Sequence, residues 1–196
     1  MKSVFNFMVR PAESRFTGSK KIDGKELLLN TELQNHEYTS RLAVVEALPI
    51  AEPTEIKVGD QILVHHNVFR RFRDIRGNEK NSKSYYSDDM FFVQPDQVYA
   101  YKREGKWYCL SGFCFIKPIV NKNQFSLDKE QEAIGIIKYA DTPFNTGELV
   151  GFVPGSEYEF NIEGERLYRV PSHRITIKYE YQGNEEEYNP SGTQSS

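Results

Sequence analysis

Residues Val58–Val68 read VGDQILVHHNV, a Gly-Asp turn that runs straight into an alternating strand. Glycine tolerates positive φ, and an aspartate side chain can hydrogen-bond the backbone of the same turn, so the pair suits a tight entry into a strand. Successive strand side chains face opposite ways. Ile62, Val64 and His66 are therefore expected on one face, and Gln61, Leu63 and His65 on the other. The arrangement recurs at Thr146–Phe152, TGELVGF, and that recurrence organises the rest of the chain.

Working outward, the aromatic residues, 13 Phe and 12 Tyr, fall in short runs such as FNFMV, MFFV, VYAY, FCFI and ITIKYEY. Gly and Pro punctuate these runs, which is the pattern of an all-β sandwich or barrel. The one helical candidate, 27–37, lacks an apolar stripe. Three further blocks repeat in order. Met8-Val9-Arg10-Pro11 matches Phe115-Ile116-Lys117-Pro118, and Leu42-Ala43-Val44-Val45 matches Ile134-Gly135-Ile136-Ile137. Asp89–Tyr99 lies without a gap on Glu165–Ile175. Four blocks in one order argue for an internal duplication. The expected organisation is two small tandem β-barrels, 1–104 and 105–182, with the seam at Lys102–Gly105. An acidic and polar tail, 183–196, is expected to be disordered.

Charged residues make up 27% and the net charge is −3, so the overall balance does not point to nucleic acid as the main partner. Mean hydropathy is −0.63, and no apolar run approaches the roughly 20 residues that span a bilayer. The N-terminus has no apolar core of a signal peptide. Cys109 and Cys114 fit neither metal spacing nor a disulfide framework, and are read as reduced core thiols. The expectation is a cytoplasmic protein.

The order of elements in each half resembles the co-chaperonin (GroES-like) family. The resemblance is carried by Val9-Arg10-Pro11, the long 12–40 connection, Leu42–Val45, Val58–Val64, Asp89–Val93 and Asp96–Tyr101. In the second half it is carried by Ile116-Lys117-Pro118, Gly135–Ile137, Gly147–Phe152, Ile162–Tyr168 and Ser172–Ile177. It spans nearly all of residues 4–180 and implies a divergent tandem form, as in two-domain chloroplast or virus-encoded members. The resemblance further implies a homo-oligomeric ring that caps a large GroEL-like chaperonin and assists folding. The cap has no cofactor of its own, because ATP belongs to the partner. The docking element would be an apolar tripeptide in a mobile loop. Here the loop is Ser14–Thr39, with Leu27-Leu28-Leu29 as an apolar island and Gly18 and Gly24 as hinges. The shorter second-half loop, Asn121–Glu132, offers only Phe125 and Leu127.

An insertion at Phe69–Tyr86 departs from the family pattern. Its Arg70, Arg71, Arg73 and Arg76, interleaved with Phe72, Tyr85 and Tyr86, form a basic surface. That surface suits either an acidic neighbour or, as the minor reading, a single-stranded nucleic acid. An enzyme is not expected. His65 and His66 would split across two strand faces, His36 and His173 stand apart, and no nucleophile-base order or phosphate-cradling loop occurs. The rival to the co-chaperonin reading is a structural or virion-associated assembly protein built on the same barrel.

Overall fold

The computed structural model describes residues 2–12, 15, 41–87, 89–122, 129–180, 183 and 185–188, and residues 19–22 and 25–28 as backbone. These residues are all-β, interrupted only by two short 3-10 turns. The chain divides into two compact units, Met1–Trp107 and Tyr108–Ser196. The Glu104-Gly105 pair, which the sequence marks as a seam, is a two-residue hairpin turn in which both residues have positive φ, 51° and 79°. That combination matches the right-handed twist of the flanking strands.

In the first unit the strands are β1 (Phe7–Pro11), β2 (Ser19–Ile22), β3 (Lys25–Leu28), β4 (Leu42–Ala47), β5 (Gln61–Val64), β6 (Arg71–Arg73), β7 (Glu79–Asn81), β8 (Tyr85–Ser87), β9 (Met90–Val93), β10 (Val98–Arg103) and β11 (Lys106–Cys109). The main sheet has the order β11-β10-β5-β4-β1-β9-β8, while β2–β3 and β6–β7 form hairpins of their own. The second unit contains β12 (Phe113–Val120), β13 (Glu130–Tyr139), β14 (Leu149–Phe152), β15 (Tyr158–Ile162), β16 (Glu165–Pro171) and β17 (Ile175–Tyr179). Its sheet runs β15-β16-β12-β13-β14-β17. Both orders are open at their ends, so neither main sheet closes into a barrel through its own hydrogen bonds. In the first unit the chain between β5 and β8 turns aside into the β6–β7 hairpin, and among the described residues β8 pairs only with β9.

Strand for strand, the second sheet repeats the first without β11, and the register repeats with it. Met8 opposes Ala47, and Val9, Arg10 and Pro11 oppose Val45, Val44 and Ala43, with a bulge after Met8. Phe115 opposes Tyr139, and Ile116, Lys117 and Pro118 oppose Ile137, Ile136 and Gly135, with a bulge after Phe115. The β4–β5 pairs Leu42–Leu63, Ala43–Ile62 and Val44–Gln61 recur as Ile134–Gly151, Gly135–Val150 and Ile136–Leu149. The closing pairs Val98–Val64 and Ala100–Leu63 recur as Ile175–Phe152 and Ile177–Gly151, again around one irregularity.

The gapless match of Asp89–Tyr99 to Glu165–Ile175 is one residue out of step. The pairs Phe7–Val93 and Met8–Phe92 correspond to Cys114–Val170 and Phe115–Arg169, so Val93 belongs with Val170. The two prolines occupy different positions in the equivalent turns. Pro95 is the first residue of its 3-10 turn, whereas Pro171 precedes the turn at Ser172–Arg174.

The Gly-Asp turn is built alike in both units. Gly59 N–H donates to Val45 O at 2.8 Å, and Val45 N–H donates to Asp60 O at 3.0 Å. Gly147 and Glu148 make the same two bonds with Ile137, at 2.8 and 2.9 Å. Both glycines have φ close to 90°. The turn carboxylate then takes a cation from the closing strand. Arg103 binds Asp60 through two nitrogens, at 2.6 and 3.2 Å, and Lys178 Nζ lies 2.6 Å from Glu148 Oε1. Burial alone would raise the Asp60 pKa, but the Arg103 guanidinium and the Lys57 amide outweigh it and hold the carboxyl below its usual range.

The expected alternation in 61–68 fails at two points. Ile62, Leu63 and Val64 are all buried, because a central strand with both faces covered has no solvent side. The strand stops at Val64, so His65 and His66 sit in the following turn with ring centroids 4.2 Å apart rather than on opposite faces. Part of the tail expected to be disordered is ordered. Val120 N–H donates to Glu186 O at 2.8 Å, Tyr188 N–H to Pro118 O at 2.8 Å, and Lys117 pairs with Glu187 at 2.6 Å.

Two predictions follow from this packing. A Cβ on Gly135 would stand 2.3 Å from the Lys117 carbonyl oxygen. Gly135→Ala should therefore cost about 1–3 kcal/mol in denaturant unfolding, as overpacking against backbone does. A carboxyl with a depressed folded pKa adds stability above its unfolded value and loses it as pH falls through the folded one. Urea midpoints should thus drop below about pH 4. Asp60→Asn should be about 1–3 kcal/mol less stable at neutral pH and show a shallower acid limb.

Candidate functional site

The two units differ most in what joins equivalent strands. Residues 153–157 connect β14 to β15, whereas residues 65–84 lie between β5 and β8. The second unit forms the same sheet without that longer connection, so the sheet itself does not need it. The extra chain is rooted by Val68 and Phe69, both fully buried, with the Phe69 ring edge-on to Phe91 at 4.8 Å. Each such apolar side chain contributes about 2 kcal/mol by leaving water.

Arg15 clamps the root. It is only 4% exposed. Its Nε donates to Phe69 O at 2.7 Å, Nη1 to Asn81 Oδ1 at 2.8 Å and Nη2 to Arg70 O at 3.2 Å. The guanidinium also lies over the Phe91 ring at 4.9 Å. The sequence offers no hint of this role, because an arginine in a polar connection reads as solvated and its partners lie more than fifty residues away.

Beyond the root, β6 and β7 pair Arg71 with Asn81, Phe72 with Lys80 and Arg73 with Glu79. Asp74 closes the tip by accepting the Asn78 and Arg76 amides, both at 2.9 Å. Those bonds, that from Asn78 above all, hold its pKa below the usual value. Of the four arginines singled out in the sequence, Arg71 is paired with Glu79 at 2.9 Å. Arg73 and Arg76 are exposed near the tip, and Arg70 is half-buried at the base.

Arg70 lines a cleft of about 310 Å³ together with Lys83, Phe72, Ser84, Asn67 and Gln97. The remaining wall is Ser82, whose hydroxyl is spent on Val68 O at 2.6 Å. Among the described residues no carboxylate lines it. The Arg70 Nε is buried and has no hydrogen-bond partner among the described residues.

The other sequence-derived element is the leucine island. Leu28 opposes Ser19 and Leu27 opposes Lys20 in the β2–β3 hairpin, which is hydrogen-bonded to neither main sheet. Gly18, Gly24 and Leu29 lie outside the described residues. The hairpin and the basic extension are separate features of the first unit; Arg15 lies just before the hairpin in sequence and hydrogen-bonds the root of the extension.

Among the described residues no group of three or more His, Cys, Asp and Glu is placed to hold a metal ion, and no helix is long and apolar enough to cross a membrane. Burial raises the thiol pKa of both Cys109 and Cys114, so neither is an activated nucleophile. In comparisons with known proteins, no family model and no curated protein matches the chain.

The Arg15 clamp carries its own prediction. Arg15→Ala should lower stability by about 2 kcal/mol, the scale of a lost buried charged hydrogen-bond donor. Amide exchange should accelerate in 69–84 while β12–β17 are unaffected, which hydrogen-exchange mass spectrometry resolves by segment.

Proposed function

We propose that the chain is a divergent tandem co-chaperonin whose two units are opened copies of the GroES-like barrel. It caps a large ATP-driven chaperonin ring and assists folding. One observation carries this reading. The long connection between β1 and β4 bears a separate β hairpin ending in Leu27 and Leu28, hydrogen-bonded to neither main sheet. On the resemblance to the family, this connection corresponds in chain order to the docking loop. A short apolar segment presented this way can bury on a partner, and repeating it around a ring multiplies a modest affinity. The reading includes a cytoplasmic homo-oligomeric ring, no cofactor on the cap itself and no enzymatic step.

The test is co-sedimentation of the chain with chaperonin rings, including the host's own, with and without ATP. Nucleotide-dependent binding is expected for the wild type and should be lost in Leu28→Asp, with circular dichroism unchanged. Wild-type chain that stays in the supernatant under every condition would remove the co-chaperonin function and favour an assembly role for the same fold.

A further inference from the structure

The basic extension is not used by the capping role, and its charge is out of keeping with the rest of the chain. Residues 69–86 carry six basic and two acidic residues, so this segment holds +4 while the remainder holds −7 of the total −3. Both acids are engaged locally, Asp74 by the amides of its own turn and Glu79 by Arg71. The positive charge therefore faces solvent from one hairpin and the cleft at its base.

The cleft has the complement of groups that a nucleotide requires. Arg70 and Lys83 supply two cations, and Ser84, Asn67 and Gln97 add neutral polar side chains. Phe72, 38% exposed, lines the same cleft and supplies an aromatic ring. The volume of about 310 Å³ suits one compact ligand at the small end of binding clefts. Further out, the exposed Arg73 and Arg76 extend the positive surface toward the tip.

We propose that this cleft binds a phosphate-bearing nucleotide unit, with Phe72 stacking on the base and Arg70 and Lys83 neutralising the phosphate. The hairpin beyond it carries the neighbouring phosphates of a single-stranded nucleic acid. Stacking with backbone neutralisation needs no base-specific contact, so binding is sequence-tolerant and steeply salt-dependent.

Fluorescence anisotropy on the full chain tests this with a labelled oligothymidylate of about ten nucleotides, a span within the usual reach of such grooves. Adenosine monophosphate and polyglutamate serve as unlabelled competitors. The oligonucleotide should bind, and its affinity should fall log-linearly with salt. Lys83→Glu, at an exposed position that leaves the fold intact, should weaken it about tenfold and flatten the salt slope by about 1. Phe72→Ala should weaken it by a similar factor at any salt concentration. Arg76→Glu separates the two sources of phosphate. It should weaken the oligonucleotide and leave the monophosphate unchanged, whereas equal competition by monophosphate and an unaffected Arg76→Glu would restrict the site to a free nucleotide and overturn the strand-binding part. Failure of the wild type to bind either probe, tighter binding of polyglutamate, or indifference to both Lys83→Glu and Phe72→Ala would overturn the proposal entirely. None of these variants touches Leu27 or Leu28, so the result is independent of chaperonin binding.

Discussion

The structure depends on how a glycine turn grips the strand beside it. In each unit the turn glycine, at positive φ, donates to the neighbouring strand, and the acidic residue after it accepts from that strand through its own carbonyl. These two bonds set the register of β4 on β5 and of β13 on β14. A slip of one residue would turn every side chain to the wrong face. The acidic side chain then ties the turn to the closing strand, through Arg103 in one unit and Lys178 in the other. Three strands are thus fixed by two residues.

Duplication has preserved backbone geometry more strictly than side-chain chemistry. The cross-strand ion pair Arg10–Glu46 has Lys117 and Lys138 at the equivalent places, two like charges that would repel on one face of a sheet. Glu165 bonds to both lysines and restores the balance. Burial alone would raise the Glu165 pKa, but the two lysines outweigh it and the carboxyl stays ionised. Tyr139 is also displaced by burial, with its pKa pushed up to about 12.

Where the units differ, the first carries longer connections between equivalent strands. The extension at 65–84 and the connection from β1 to β4 both sit on a sheet that the second unit builds without counterparts of that length. Recognition commonly resides in such additions, because loops can vary while the sheet that carries them stays fixed. Arg15 links the two additions, since it belongs to one and clamps the other.

Much of this was legible in residue order. The all-β class, the duplication and three of the four repeated blocks follow from turn chemistry and apolar patterning, which act between near neighbours. The basic-aromatic character of 69–86 was equally plain. The fourth block was misplaced by one residue because two prolines occupy different positions in equivalent turns, a distinction visible only in backbone angles. The alternation assumed for His65 and His66 failed because the strand ends before them. By itself the sequence determined the strands of the two main sheets and that they come in two sets, but not the β2–β3 hairpin, which falls in a segment that reads as a loop. The tertiary structure alone decided that the sheets stay open, that Arg15 is buried against carbonyls far along the chain, and that Arg70, Phe72 and Lys83 share one cleft. Those outcomes depend on contacts between distant residues, and no local pattern encodes which distant groups will meet.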